Sequence, residues 1–454
     1  MSDQAMESCK NVNENPCHMC MPMGGILALK GIERSMVILH GSQGCSTYMR
    51  RHIAAHFNEP VDVGSSSLNE KGTIYGGEKN LVKAIDNILK VYQPDLIGVL
   101  TTCLAETIGE DIDRIVTEYL REKNQETFPI ITAPTPGYGS SQAEGYYFTV
   151  KRTIMGLAEA TKKHNRVNII TAHMSPADLR ELKRILALMD IDYIMCPDYS
   201  ETLDAPYVSS FSKMPQGGTK LADIKAMGGA IATIQLGVTV DEKLSPGKYL
   251  EETFGVPLYT LPIPMGIENT DQFIHRLSEI TGKTIPVLLE KERGRLIDAM
   301  IDSHKYNMQG RSVVYGEPEL VYGVTKVCLE NGIEPVVVAT GSKPGLLTKL
   351  LGKKINVMHE SDFVAIRAKS REQKANIAIG HSDGHYLTEK DGIPLVRIGF
   401  PIHDRIGGQR ILSVGYAGTM LLLDRLTNTL LEHKYHSYRS RMYEQYYDTR
   451  ANKA

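Results

Sequence analysis

Neither sign of charge dominates this chain: 51 Lys and Arg face 53 Asp and Glu in 454 residues, leaving a formal net charge of −2. That balance removes the electrostatic argument for a nucleic-acid or anionic-membrane partner. No apolar run approaches the length of a bilayer span, and the opening stretch, "MSDQAMESCKNVNENPC", lacks the basic segment and hydrophobic run of a secretory leader. A soluble, cytoplasmic protein is expected. Low-complexity segments and short-period repeats are missing too. Cysteine is sparse, at seven, and the number is odd. In a reducing compartment such cysteines serve as core residues, metal ligands or catalytic thiols rather than as disulfides.

What is present is a repeated strand, helix, strand rhythm. A prior of roughly 150 residues per domain predicts about three domains. "MVILH" and "LIGVLTTC" have the continuous apolar character of buried parallel strands, and "NLVKAIDNILKVY" between them spaces its apolar residues by three and four, as a helix does. In the middle, "VNIIT" leads into "SPADLRELKRILALM", where Ser175 suits the N-cap, Pro176 the first turn and Asp178 the positive helix end. "DYIMCPD" returns as a strand. "SVVYG", "ELVYGVTKVCLENG" and "PVVVATG" repeat the pattern near the end, with Gly332 placed to stop the helix. The fold class expected is α/β, with three doubly wound, Rossmann-like domains whose mainly parallel sheets are flanked by helices. The limits expected are 1–164 for an N-terminal cluster-binding domain, 165–290 for a middle domain and 291–454 for a C-terminal domain with a helical tail.

Three cysteines fall where such sheets gather ligands, at the carboxyl ends of strands. Cys45 follows "VILHGSQG", Cys103 follows "LIGVLTT", and Cys20 opens "CMPMGGILALKGI" at a helix start. Helix N-termini are expected to lower a thiol's pKa and to favour thiolate and anionic clusters. Gly41 and Gly44 are expected to let backbone approach a bulky inorganic core. Thiolates suit iron–sulfur clusters or zinc. Three are too few for an iron–sulfur cubane, which takes four, so a partner chain must complete the cage. Cys196 and Cys328 read as core residues. Cys9 and Cys17 are expected to be exposed, and Cys17-x-x-Cys20 follows a polar arm rather than the first strand that a thioredoxin-like pair requires. His40 and His52, single histidines without a spaced partner, read as hydrogen-bonded structural residues.

"CMPMGG", "HGSQGC", "HFNEP", "SSSL", "YGG", "TTCLAETIGED" and "GFPIHDR" occur in this order, with Cys20, Cys45 and Cys103 at spacings of 25 and 58 residues. In these features the chain resembles the β-type chains of the nitrogenase component 1 superfamily, nearly from end to end. Within it the resemblance is strongest to the N-type (NifN-like) subunits of the iron–molybdenum cofactor assembly scaffold. It rests on "GGTKLADIKAMGGAIATIQLG" and "GFPIHDRIGGQRILSVGYAGT", on a short N-terminal segment, and on Gly137 where the catalytic β-subunit carries a serine beside its cluster. Ser140 and Ser141 lie close by. Retention of all three cysteines points the other way, toward the catalytic β-subunit or the β-chain of a nitrogenase-like reductase.

The resemblance implies a heterotetramer with an E-type or α-type partner, docking of the nitrogenase iron protein, and an interfacial iron–sulfur cluster, either a four-iron cubane or an eight-iron P-cluster. An iron–molybdenum cofactor precursor would be held mainly by the partner. Cys20, Cys45 and Cys103 become cluster ligands, and Tyr48 and Arg50 match positions near the route between clusters. A packed aromatic and an ion-paired base account for those two equally well. Asp298 and Asp302, four apart on the long helix "LLEKERGRLIDAMIDSHKYN", are like charges on one face. The resemblance joins them to Glu59 of "HFNEP" as ligands of a divalent cation between two like chains; spacing alone suggests a solvated helix face. The tail "YHSYRSRMYEQYYDTRANKA" suits a protein interface or a solvated helix end alike. A lone thiol oxidoreductase, working without iron, is the remaining alternative.

Overall fold

The computed structural model describes residues 17–447, except residues 211 and 353 and the side chains of 436 and 437. Its described strands form three parallel sheets. The first holds β1 (Ser35–His40), β2 (Gly64–Ser65), β3 (Leu96–Thr101) and β4 (Ile130–Ala133) in the order β2-β1-β3-β4. The second holds β5 (Val167–Ile170), β6 (Tyr193–Cys196), β7 (Ala232–Leu236) and β8 (Leu258–Leu261) in the order β6-β5-β7-β8. The third runs β11-β10-β9-β12-β13, from β9 (Arg311–Tyr315), β10 (Glu334–Ala339), β11 (Val357–Met358), β12 (Ile377–Gly380) and β13 (Leu395–Arg397). Helices fill the crossovers, as parallel pairing demands. Residues 134–166 separate the first two sheets and residues 262–310 the last two.

The two central strands of the first sheet are buried on both faces. "SMVILH" and "LIGVLT" are buried at every position, which is why they read as unbroken apolar runs rather than as alternation. Their register pairs Ser35 with Leu96 through His40 with Thr101, so the two strands end side by side. The segments that follow, Gly41–Cys45 and Thr102–Cys103, are thereby brought to one place.

Glycine sets the position of the remaining cysteine. A Cβ on Gly24 would lie 1.9 Å from the Gln142 carbonyl oxygen, and one on Gly145 would lie 2.1 Å from that of Met21. The helices Met21–Lys30 and Gln142–Leu157 therefore touch backbone to backbone, and any side chain at either position would separate them. Between the second sheet and the C-terminal helix Gly415–Tyr446 the link is polar. Ser175 and Asp178 form a capping box on the helix Pro176–Leu188, and the same Asp178 carboxylate accepts from the backbone N–H groups of Ser413 and Val414 at 2.7 and 3.2 Å. Among the described residues no helix is long and apolar enough to cross a membrane.

Candidate metal centre

Cys20 caps the helix Met21–Lys30, Cys45 sits in the first turn of Gln43–Phe57, and Cys103 opens the short helix Cys103–Thr107. An isolated antiparallel bridge joins Cys20 to Ser141, and the Gln142 N–H donates to the Met19 carbonyl at 3.1 Å. These bonds hold Cys20 over the loop that carries Gly137. A Cβ placed on Gly137 would stand 3.2 Å from the Cys103 Sγ and 3.5 Å from the Cys20 Sγ, so both sulfurs face one point. Cys45 shares the neighbourhood, because charge on it and on Cys103 acts on Cys20. The Gly137 N–H donates to the Cys103 Sγ at 3.1 Å and the Ser42 hydroxyl to the Cys45 Sγ at 3.7 Å. Cys20 and Cys103 are exposed and Cys45 is partly so. The result is a cradle of three sulfurs that opens on the protein surface.

Its electrostatics correct one expectation. Burial, and then the neighbouring Cys103 and Cys45, raise the Cys20 thiol above its ordinary value, whereas the helix terminus alone was expected to lower it. Burial first, and the two neighbouring sulfurs with it, outweigh the helix terminus. Bound iron would relieve the mutual repulsion of neighbouring thiolates, and donors aimed at the sulfurs fit an anionic sulfur-rich core. Among the described residues no group of three or more His, Cys, Asp or Glu is close enough to hold a metal ion within this chain alone. Gly137 leaves the space between two sulfurs free, and a Cβ on Gly44 would meet only the Ser42 Oγ, at 3.9 Å. Gly41 has a different cause from the one expected: a Cβ there would strike the Thr102 Oγ1 at 2.0 Å, so strand-end packing requires glycine at that position.

The other candidates divide. Tyr48 lies close enough to the cradle for Cys20 charge to raise its hydroxyl, after burial, and its ring stands 4.4 Å from that of His52. Arg50 turns elsewhere, to the Val61 carbonyl at 3.2 Å and Asp62 at 3.3 Å, which is the ion-paired alternative. Glu59 accepts from the Ala205 N–H at 3.0 Å, and burial raises its carboxyl. Asp298 and Asp302 are exposed on the helix Val287–Asn307. Within one chain these three make no metal-spaced group. His40 is buried and bonded to Ser66 and Glu110.

Cys17 corrects the expectation that it is exposed. It is 1% exposed, its N–H donates to the Ser361 carbonyl at 3.1 Å, and its sulfur lies 3.9 Å from the His381 Nε2. It packs in the third sheet's core with Val313, Tyr315 and Phe363 rather than pairing with Cys20, and burial raises its thiol well above the ordinary value. Cys9 lies outside the described residues. Cys196 and Cys328 are buried, with thiols pushed up to about 12 by burial. One group went unnoticed in the sequence: Asp383, held down to about 2 by His381 and His403 against the effect of its burial, acts on Tyr48 and His52. The "GFPIHDR" motif, which contains His403, was its only signal.

Three parallel α/β sheets, with cysteines at the carboxyl ends of two adjacent strands and at a helix start beside them, define a layered α/β chain with a candidate three-cysteine metal centre. The chain belongs to the nitrogenase component 1 family: residues 20–431 match the family described as "Nitrogenase component 1 type Oxidoreductase". Within that family it is a β-type chain. It is 36% identical over 449 residues to the "Nitrogenase molybdenum-iron protein beta chain" of Methanothermobacter marburgensis, covering 95% of this chain and 97% of that one. The protein of the same name from Clostridium pasteurianum is 36% identical over 440 residues, with 93% and 94% covered. For that of Azotobacter vinelandii the figures are 35% over 444 residues, 92% and 84%. A chain of the solved structure "Nitrogenase Cp1 at pH 6.5" superposes with a TM-score of 0.88 at 36% identity, covering 93% of this chain and 94% of that one. The short N-terminal segment loses its weight as a mark of the assembly subunits, since chains named as β-chains match over nearly their whole length without a long extension.

Proposed function

We propose that this chain is the β-subunit of a nitrogenase-type component 1 reductase, completing with an α-type partner an α2β2 tetramer that takes electrons from an iron protein. Its part is to hold half of an interfacial iron–sulfur cluster. The observation that carries this is the three-sulfur cradle, open to the surface, at the carboxyl ends of β1 and β3. Cys20, Cys45 and Cys103 would hold the cluster, which when bound supplies one-electron storage and transfer. The Gly137 N–H and Ser42 hydroxyl stabilise the sulfurs of Cys103 and Cys45 in their anionic form, the contact of the Gly24 and Gly145 helices fixes Cys20 relative to the other two, and Tyr48 lies near Cys20. Asp298, Asp302 and Glu59 are proposed, in addition, as ligands of a divalent cation between two like chains. Glu59 joins no such group with the two aspartates within one chain, so a second copy would have to complete the site, and hard oxygen donors suit calcium, magnesium or ferrous iron.

A second reading is favoured by Gly137. Without the serine of the catalytic β-subunit at that position, a simpler cluster and an N-type role beside an E-type partner in cofactor assembly follow, the cargo being an iron–molybdenum precursor on the partner. The two roles separate in one assay. The tetramer, purified anaerobically with the partner encoded beside it and given iron protein, MgATP and reductant, turns over a reducible substrate if it is the reductase. Absence of turnover, with transfer of an iron–molybdenum precursor to cofactor-free nitrogenase, establishes the assembly role instead.

A further inference from the structure

Four of the sequence motifs meet in one buried chain of hydrogen bonds that includes no sulfur. His40, from "HGSQGC", ends β1; Ser66 comes from "SSSL", Gly77 from "YGG" and Glu110 from "TTCLAETIGED". The His40 ring is fully buried, Ser66 is 4% exposed and the Glu110 side chain 7%. The His40 Nδ1 stands 2.9 Å from the Ser66 Oγ, and its Nε2 stands 3.3 Å from the Glu110 Oε2. Both ends continue into backbone. The Ser66 Oγ accepts the Gly41 N–H at 3.0 Å, and the Glu110 Oε1 accepts the Gly77 N–H at 2.5 Å.

Hydrogen-bond supply fixes the direction of this chain. A carboxylate only accepts, so the His40 Nε2 carries the ring hydrogen toward Glu110 and Nδ1 keeps its lone pair. Ser66, which already accepts from Gly41, gives its hydroxyl hydrogen to that Nδ1; its other acceptor, the Gly41 carbonyl, is farther away at 3.4 Å. Burial lowers the His40 imidazole below its ordinary value, against the pull of Glu110, so the ring is neutral at pH 7 and one tautomer serves both contacts. A Cβ on Gly77 would stand 2.9 Å from the His40 Cε1, so the ring is packed against backbone as well as bonded. A buried polar chain with every member satisfied makes rigid what it joins.

What it joins are two of the segments that carry cysteine. Cys45 follows His40 within "HGSQGC", and Glu110 follows Cys103 within "TTCLAETIGED". The Thr102 N–H donates to the His40 carbonyl at 3.1 Å, which fixes where the two segments begin. Glu110 reaches back to His40 from beyond the helix Cys103–Thr107, so Cys103 is tied to the end of β1 on both sides. We infer that the Glu110–His40–Ser66 chain is a positioning device, which sets Cys45 and Cys103 at their working separation before a cluster is bound. The inference rests on the cluster-holding role proposed above. No sulfur belongs to the chain, so it acts through the two backbone segments.

The test compares Glu110→Gln and Ser66→Ala with the unchanged chain, each purified anaerobically with its partner. The first removes a charge and the second a hydroxyl, with little change of volume. Hydrogen exchange of residues 40–46, read by mass spectrometry, should quicken about tenfold, the effect of one lost hydrogen bond, while exchange in the second and third sheets stays as it was. Loss of iron to a ferrous chelator should quicken to a similar degree. The EPR line shape of the cluster's paramagnetic states should change as well, which a merely stabilising contact would not bring about. Cys45→Ala, run beside them, separates the two readings. Iron that persists undiminished in Cys45→Ala ends the cluster-holding role itself. Iron lost from Cys45→Ala, with exchange, release and spectrum all unchanged in folded Glu110→Gln and Ser66→Ala, overturns the positioning role alone.

Discussion

Gly137→Leu probes the cradle without touching a sulfur. The Gly137 backbone does not lie in the positive-φ region, so leucine is conformationally allowed and the N–H bonded to the Cys103 Sγ is kept. Its Cβ would sit 3.2 Å from one sulfur and 3.5 Å from the other, and the rest of the side chain would project into the space a shared core must occupy. Iron per tetramer, measured by plasma mass spectrometry and by the sulfur-to-iron absorption, should fall at least tenfold, equivalent to at least about 1.4 kcal/mol lost from cluster binding. Gly137→Ala is the companion. One methyl at 3.2 Å from Cys103 costs on the order of 1 kcal/mol of overpacking and should leave iron within twofold. Full iron in a folded Gly137→Leu tetramer would show that no cluster lies between Cys20 and Cys103.

Gly145→Ala should part the helices Met21–Lys30 and Gln142–Leu157, because its Cβ would fall 2.1 Å from the Met21 carbonyl. Destabilisation of about 1–3 kcal/mol in a denaturant titration and a lower iron content are expected together, and a neutral effect would refute backbone contact there. Stability should also fall as pH rises from 6.5 to 7.5. Burial pushes Glu317 up to about 8 and Glu319 up to about 7, so the native chain keeps protons that the unfolded chain has already lost in this window. His56 and His173, held low, work the other way by taking up protons only on unfolding, but their unfolded forms are mostly neutral above pH 6.5. The net slope is roughly 1 kcal/mol per pH unit, read from the thermal midpoint. A midpoint that rises across the window, or a slope unchanged by Glu317→Gln with Glu319→Gln, would contradict it.

Local patterns were legible where local physics decides. β1 and β3 are buried on both faces and announce themselves as apolar runs, and the Ser175–Pro176–Asp178 start of a helix has the cap its residue types require. The cysteines could be placed at strand and helix ends for the same reason. What escaped were effects carried by residues far away in sequence. Cys17 is buried by Ser361 and by His381, more than 300 positions on. Gly41 is required by Thr102, and Asp178 joins Ser413 as well as its own helix. Cys20 illustrates competition: its helix terminus favours thiolate, yet burial and two neighbouring sulfurs prevail, and neither is visible until the fold is assembled.

Mössbauer spectroscopy of the tetramer grown on enriched iron, before and after combined Cys20→Ala, Cys45→Ala and Cys103→Ala substitution, bears most directly on the shared cage. Loss of the interfacial cluster signal, with the two kinds of chain still associated, is the expected result. An undiminished signal in the triple variant would mean that these sulfurs hold no iron.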